Sequence, residues 1–414
     1  MKDEHKDEKT TTSLVHRVVT IIAVVLIIAN VYIIYGLYTN MNLLNNMLDL
    51  RTEMVDNIGE FGELQAMAGE IKAIYDEYGI VEDIDFDKCS DLALKAIALG
   101  TGDVYSGYFS SEESAERNNE RTEEQFGIGV KIVYEQDNGC YVTNVFANSG
   151  AEAAGIKKGD YLIKADGISV IDKGYETFVD AIAGEEGTEV NITYIRDGVE
   201  STIPVTRGDF TSSSVTFDDI DGIAYIKIDS FTYKTNSEFT EIMDSLKTSG
   251  YEDYIIDLRN NLGGSLETVV DMVDYMVPSG LIFRSEGKDP SANMEYYSGP
   301  DEFTGNLVIL TNNSTASASE MFTQSLIDFD KATVIGDKTF GKGTVVTEYN
   351  LSNGGTLVVS TARYYTHSGT CVEGVGITPD IEVSLDEEAS KIYYKLSYEE
   401  DTQLQAGINF FKSV

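Results

Sequence analysis

A chain of 414 residues has room for two or three domains, and an apolar share of 42% excludes wholesale disorder. The 70 acidic residues outnumber the 30 basic ones, and the formal charge of −40 excludes nucleic acid as a natural partner. Cys89, Cys140 and Cys371 show no CxxC or Cys/His spacing, so no disulfide framework, zinc site or other metal or cofactor is expected.

Residues 1–17 carry Lys2, Lys6, Lys9 and Arg17 and read as a cytoplasmic tail. Residues 18–38 come next, nearly all apolar and long enough to span a bilayer. Only Arg51 is basic in the next 20 residues, so the positive-inside rule puts the rest of the chain outside. No small-x-small cleavage site follows, which favours an uncleaved single-pass plasma-membrane anchor with an extracellular body.

Residues 39–115 read as an N-terminal helical region. Leu43, Leu44, Met47, Leu48, Met54, Val55, Ile58, Phe61, Leu64, Ile71 and Ile74 recur at helical steps through residues 40–80. That stripe suits either packing on the body or self-association into a homo-oligomer. The acidic run SSEESAERNNERTEEQ reads as an exposed connector.

From Phe126 the pattern turns to short alternating strands: Gly129–Tyr134, Cys140–Phe146, Tyr161–Ala165, Glu189–Arg196 and Thr202–Thr206, with a helix near Gly174–Ala183. After Ser213 strands and helices alternate. The expected strands are Ile223–Ile228, Tyr254–Leu258, Leu307–Leu310, Thr333–Ile335, Thr344–Tyr349 and Thr356–Ala362; the helices are Asn236–Ser249, Ser265–Val277 and Ser317–Asp328. This argues for an α/β layer with mixed strand directions. Residues 386–414 form a charged helical tail. The expected fold class is therefore a multi-domain α/β and β protein: transmembrane helix, helical segment, β-rich module and α/β core.

Three segments carry chemistry. In DLRNNLGGS a buried strand runs into Gly263-Gly264, whose free backbone N–H groups suit an oxyanion; a plain sharp turn is the alternative. In TASASE a strand ends, a polar loop intervenes and a helix begins, the setting of a strained nucleophile at Ser317. The same serine, with Glu320 three residues on, also fits a helix cap. In TFGKG, Lys342 lies between two glycines and can enter a tight space, where burial disfavours its ammonium form and suits it to act as a base. A phosphate loop fails there because Gly343, not Ser or Thr, comes after the lysine.

Histidine supply is short. His5 and His16 precede the apolar span, so a Ser-His-Asp site would have to use His367, whereas a Ser-Lys site needs none.

Together these motifs resemble the C-terminal processing peptidase, or tail-specific protease, family of serine proteases. GVGITPDIEV (Gly374–Val383) and GDVYSGYF add to the likeness, which covers most of residues 83–385. The resemblance implies a protease core from residues 83–125 and 213–385, with Ser317 as nucleophile, Lys342 as base, and Gly264 with Ala318 as oxyanion hole. It implies that residues 126–207 form a PDZ domain, SGAEAAGIKKGDYLIKADG being the most similar part. Phe126, Gly127, Ile128 and Gly129 would then grip the C-terminal carboxylate of a protein or peptide substrate, whose tail adds a strand. One departure stands out. The family commonly carries a glutamine four residues after the lysine, and here that residue is Val346. Glu348 and Asp328 are the substitutes that sequence offers, and a catalytically impaired PDZ-bearing scaffold is the competing reading.

Overall fold

The computed structural model describes residues 61–80, 84–122, 124–211 and 213–413. It divides into one unit ending at Phe86 and a second running from Asp87 to the C-terminus. In the first unit a helix covers 61–78, and Phe61, Leu64, Met67, Ile71 and Ile74 of its apolar stripe are exposed. No helix among the described residues is long and apolar enough to cross a membrane; the expected span at 18–38 lies outside them.

The second unit contains two β-sheets of the core, a separate β-rich module and a two-stranded ribbon. The mixed sheet has the order Val215–Ile220, Ile223–Ile228, Asp253–Asp257, Asn306–Thr311, Thr333–Gly336, Ile381–Glu382. Its first pair is antiparallel and the rest are parallel. Strands such as YII and LVIL are apolar throughout because both faces are covered. Helices Thr235–Thr248, Leu266–Met276 and Ala318–Asp328 pack one face through Phe239, Val273 and Phe322. Leu404 and Ile408 of the helix Thr402–Ser413 pack against Ile255, Val308 and Leu310 on the other. The expected C-terminal tail is thus part of the core.

Asp253–Asp257, Asn306–Thr311 and Thr333–Gly336 are neighbouring parallel strands, so the loops at their carboxyl ends leave the same edge. Those loops are NNLGG, NNSTAS and DKTFGKG. The carboxyl edge of parallel strands is the usual place for a site, and here it gathers three motifs that are far apart in sequence.

Two expectations are corrected. Thr344–Asn350 and Thr356–Thr366 do not extend the mixed sheet. They pair with each other in a second sheet, where Thr356–Thr366 also meets Gly107–Phe109 and Leu281–Gly287. The place beside Thr333–Gly336 in the mixed sheet is taken by Ile381–Glu382, so the two strands after the GKG loop pair elsewhere. The acidic connector is also more ordered than its charge implied: Ser111–Thr122 is a helix. A reciprocal cap starts it, Ser110 N–H donating to Glu113 Oε2 (2.8 Å) and Glu113 N–H to Ser110 Oγ (3.3 Å).

The β-rich module has the strand order Val130–Glu135, Gly139–Val145, Tyr161–Ala165, Glu189–Arg196, Val199–Thr206. Its core is built from Ile128, Leu162, Phe178, Val190 and Ile192. Val130–Glu135 is an edge strand, with one side left unpaired among the described residues.

Candidate active site

Ser317 begins the helix Ala318–Asp328 with φ 58° and ψ −119°. For a side-chain-bearing residue that conformation is strained, and strain of this kind collects at functional sites. Surrounding bonds hold it. Phe340 N–H donates to Thr315 O (3.0 Å), Ala316 N–H to Asn261 O (3.1 Å), and Thr315 Oγ1 to Leu258 O (2.9 Å).

The Gly-Gly turn is packed against this serine. A Cβ on Gly263 would meet Ala318 N at 2.9 Å and Ser317 Cβ at 3.1 Å. Gly264 has φ 149°, and a Cβ there would lie 2.1 Å from Phe231 O, so only glycine fits. Asn261 sets the turn: its side chain donates to Ile228 O (2.9 Å) and accepts from Gly263 N–H (2.9 Å). Among the described residues, no protein acceptor is recorded for the Gly264 or Ala318 N–H. Ala318 is at the first helical position, where the backbone N–H has no intrahelical partner.

Glu320 joins the serine to the lysine loop. It is fully buried, and its carboxylate accepts four hydrogen bonds. Oε2 takes Ser317 N–H (2.9 Å) and Lys342 N–H (2.8 Å). Oε1 takes Gly341 N–H (2.7 Å) and Thr339 Oγ1 (2.6 Å). A second bridge comes from Tyr364, whose hydroxyl donates to Ser317 O (3.3 Å) and Lys342 O (3.2 Å). The backbones of Ser317 and Lys342 are therefore tied together twice.

The Lys342 amine itself rests 5.0 Å over the Tyr105 ring, and no hydrogen bond to Ser317 Oγ is recorded. Burial pulls its pKa below the ordinary lysine value, and the Glu373 and Asp103 carboxylates oppose that shift. Beside Ser317 a cavity of about 700 Å³ opens, with apolar walls from Phe231, Leu266, Phe283, Met294, Met321 and Val346. The buried Thr344 hydroxyl on its wall has no partner among the described residues.

A strained serine, a lysine of lowered pKa and two unspent amides beside an apolar cavity form a set suited to acyl transfer. Comparison with known proteins bears on this directly. Residues 222–383 match the model of peptidase family S41, and residues 126–206 that of the PDZ domain. A carboxy-terminal-processing protease of Bartonella bacilliformis is 31% identical over 307 residues, which cover 72% of this chain and 70% of that protein. The chain belongs to peptidase family S41. Carboxy-terminal processing protease CtpA of Bacillus subtilis is 30% identical over 342 residues, covering 82% of this chain and 71% of that one. This protein is thus a carboxy-terminal processing serine protease. Its fold is also similar to that of a crystal structure described as an S41 protease from Bacteroides fragilis, with TM-score 0.56, 17% identity and coverage of 81% and 92%.

Within this S41 core, both substitutes offered by the sequence for the missing glutamine are engaged elsewhere. Asp328 accepts from Thr366 Oγ1 (2.6 Å), Ser368 N–H (2.8 Å) and Gln324 (2.7 Å). Glu348 lines the cavity but pairs with Arg117 at 3.1 Å. His367 does not line the cavity; its ring packs on Phe329 at a centroid distance of 4.4 Å and its Nδ1 lies 3.3 Å from Leu281 O. Sequence reasoning missed Tyr364 altogether, had Asp103 and Tyr105 only as letters of GDVYSGYF with no role, and read Glu320 only as a cap.

In the PDZ module the chain from Phe126 to Gly129 leads into the edge strand Val130–Glu135. Gly127 pairs with Gly208 in a ribbon linking the module to the core. Ile128 is buried, and its carbonyl accepts from Ala151 N–H (2.8 Å). Gly129 has φ 81°, and a Cβ there would lie 2.2 Å from Ser149 Cβ. The module is fastened to the core by Lys131 with Asp229 (2.8 Å) and by Tyr394 Oη donating to Glu135 (2.9 Å). Lys395, also paired with Glu135, lies 5.0 Å from the centroids of the Tyr141 and Tyr161 rings.

Proposed function

We propose that this protease is a Ser-Lys endopeptidase that selects protein substrates by their C-terminal tails. The amides of Phe126–Gly129 take the tail carboxylate, and the tail adds a strand along the free edge of Val130–Glu135. Neutral Lys342 accepts the proton of Ser317 Oγ, which attacks the scissile carbonyl. The N–H groups of Gly264 and Ala318 hold the oxyanion, worth about 3–4 kcal/mol per donor. The leaving amine takes the proton back from Lys342, and water then hydrolyses the acyl-enzyme. The apolar cavity receives an apolar substrate side chain. One observation carries the reading: Glu320 Oε2 accepts from both Ser317 and Lys342 N–H, beside two amides without acceptors. The amine reaches Oγ by leaving the Tyr105 ring, a tightening expected once substrate is bound.

The test is cleavage of an unfolded protein with an apolar C-terminus, monitored on gels. Ser317→Ala is expected to lower turnover by at least about 10³-fold. Undiminished cleavage by that variant ends the assignment. Because Lys342 must be neutral to act, wild-type kcat/KM should fall as pH drops through its lowered pKa. A catalytically silent scaffold is the second reading, carried by Val346; the same assay excludes it if wild type cleaves and Ser317→Ala does not.

The apolar run at 18–38 and the basic residues before it support an anchored protein with its catalytic part outside the cell. The exposed stripe on the helix over 61–78 supports pairing with a second copy. Full-length protein is expected to resist carbonate extraction and, in detergent, to sediment as more than a monomer. Release into the carbonate supernatant would remove the anchor, and monomeric sedimentation the pairing.

A further inference from the structure

We infer that Tyr105 is the positioning residue for the Lys342 amine, doing the work that a side-chain amide at position 346 would otherwise do. This rests on the Ser-Lys reading above. Val346 has no donor or acceptor in its side chain, so something else must fix a long, flexible amine. In the hairpin register Val346 is paired with Ser360. Ser360 N–H donates to Asp103 Oδ2 (3.3 Å) and Ser106 Oγ (3.3 Å). Asp103 also takes Ser106 Oγ (2.5 Å) and, through Oδ1, Tyr105 N–H (3.0 Å). The turn holding Tyr105 is thereby pinned to the strand directly opposite Val346. Gly107–Phe109 then continues along the same strand, Gly107 opposite Val358.

The result is the tyrosine face 5.0 Å from Lys342 Nζ, well inside cation–π range. The carboxylates around the amine are held by other donors. Glu373 Oε2 accepts from Gly343 N–H (2.7 Å), Asp103 holds its own turn, and Glu320 holds the two loops. Among the described residues, none of the three forms an ion pair with Lys342. Burial works against the Asp103 carboxylate, but bonds from Ser106, Tyr105 and Ser360 hold its pKa down at about 2, so the turn keeps its charge at any working pH. The charged groups acting on the amine are therefore Glu373 and Asp103, with Tyr105 beneath it and Glu320 and Tyr364 bonded to the Lys342 backbone. The ring has two consequences. It fixes where the amine waits, and it favours the ammonium form against the burial that disfavours it.

Tyr105→Leu removes the π face and keeps a smaller apolar side chain. In full-length protein its kcat on an unfolded substrate should fall about 10- to 100-fold, the scale of a small misplacement of a catalytic group, with KM changed by less than about threefold. The acid limb of its kcat/KM profile should move to lower pH, because the ammonium loses its ring. Tyr105→Phe should recover kcat to within about threefold of wild type and restore the limb, since the face and not the hydroxyl makes the contact. Wild-type kcat in the Leu variant overturns the inference. So does a lowered kcat with an unmoved acid limb, which would assign Tyr105 to packing alone. Lys342→Ala is run alongside. If it still cleaves, the Ser-Lys reading has failed; if it is inactive while Tyr105→Leu behaves as wild type, only the role of Tyr105 has.

Discussion

Glu320→Gln is expected to lower kcat/KM by about 100-fold or more, although it changes one atom of a buried side chain. The reason lies in the count of donors. The Glu320 carboxylate receives Ser317 N–H, Lys342 N–H, Gly341 N–H and Thr339 Oγ1, two on each oxygen, and offers no proton. A carboxylate meets four donors well; an amide meets two with its oxygen and turns its NH2 on at least one backbone N–H. If the amide nitrogen takes the Oε2 place, the N–H groups of Ser317 and Lys342 lose their shared acceptor. If it takes the Oε1 place, Gly341 N–H is set against it, and the Thr339 hydroxyl must turn from donor to acceptor while it also holds Ile377 N–H (2.7 Å) on the closing segment. Each buried donor left without a partner costs about 1–3 kcal/mol. Either flip therefore loosens the loop that carries the amine relative to the helix that carries the hydroxyl. Turnover of an unfolded substrate and the thermal midpoint should fall together. Near-normal turnover would mean that Tyr364, the other bridge between the two loops, holds them alone.

The same spacing had two outcomes in this chain, and that shows where sequence reading stops. Ser110 with Glu113 is a helix cap: the two residues bond each other at the start of Ser111–Thr122, and Glu113 adds only a half-exposed ion pair with Lys95. Ser317 with Glu320 has the same S-x-x-E pattern, yet its glutamate reaches a loop on another strand. Nothing in four residues distinguishes the two; the neighbouring parallel strand does. Short contiguous signals were legible for the complementary reason. The Gly-Gly turn, the strand-to-helix junction at Ser317 and the GKG loop are each set by local backbone demands, seen in positive φ at Gly263, Gly264, Ser317 and Gly341. The parallel strands beneath them were legible as apolar runs. Of the second sheet, Thr344–Tyr349 and Thr356–Ala362 were legible as strands, but not their pairing away from the mixed sheet, nor strands such as Glu295–Tyr297, which are short, half-exposed and take their identity from partners elsewhere in the sequence. The role of Tyr105 was hidden for the same reason: GDVYSGYF was legible as part of the family likeness, but the partner of its tyrosine lies on a distant loop.

Arg259→Met is expected to destabilise the protein by about 3–5 kcal/mol, the cost of leaving a buried charge unpaired. Arg259 is 2% exposed and lies just past the strand that leads to the Gly-Gly turn. Its guanidinium donates to Asp257 Oδ1 (2.9 Å) and Oδ2 (2.6 Å), to Asp401 Oδ1 (2.8 Å) and to Gln403 Oε1 (3.1 Å). The turn is thus fixed to the start of the C-terminal helix. Tyr393 closes the cluster: its ring lies 4.8 Å from the guanidinium, and its hydroxyl accepts from Lys227 (3.0 Å) and donates to Asp257 Oδ2 (3.3 Å). Burial alone would raise the Asp257 pKa, but Arg259 foremost, then Lys227 and Tyr225, holds it at about 2. That depressed value contributes stability which is present above about pH 4, the ordinary range of a free aspartate, and is lost as pH falls toward about 2. In Arg259→Met the buried carboxyl loses its main counter-charge and its pKa rises. The gap from wild type should therefore be widest near neutral pH and shrink in acid, where protonation relieves the variant. Adding Asp257→Asn should recover part of the loss at neutral pH, since one of the two carboxylates that Arg259 covers is then removed, while Asp401 keeps only its bond from Leu404 N–H (3.0 Å). Denaturant unfolding of wild type, both single variants and the double variant at two pH values supplies the cycle. Single losses that simply add would show that Arg259 acts through packing instead of through the charge it covers.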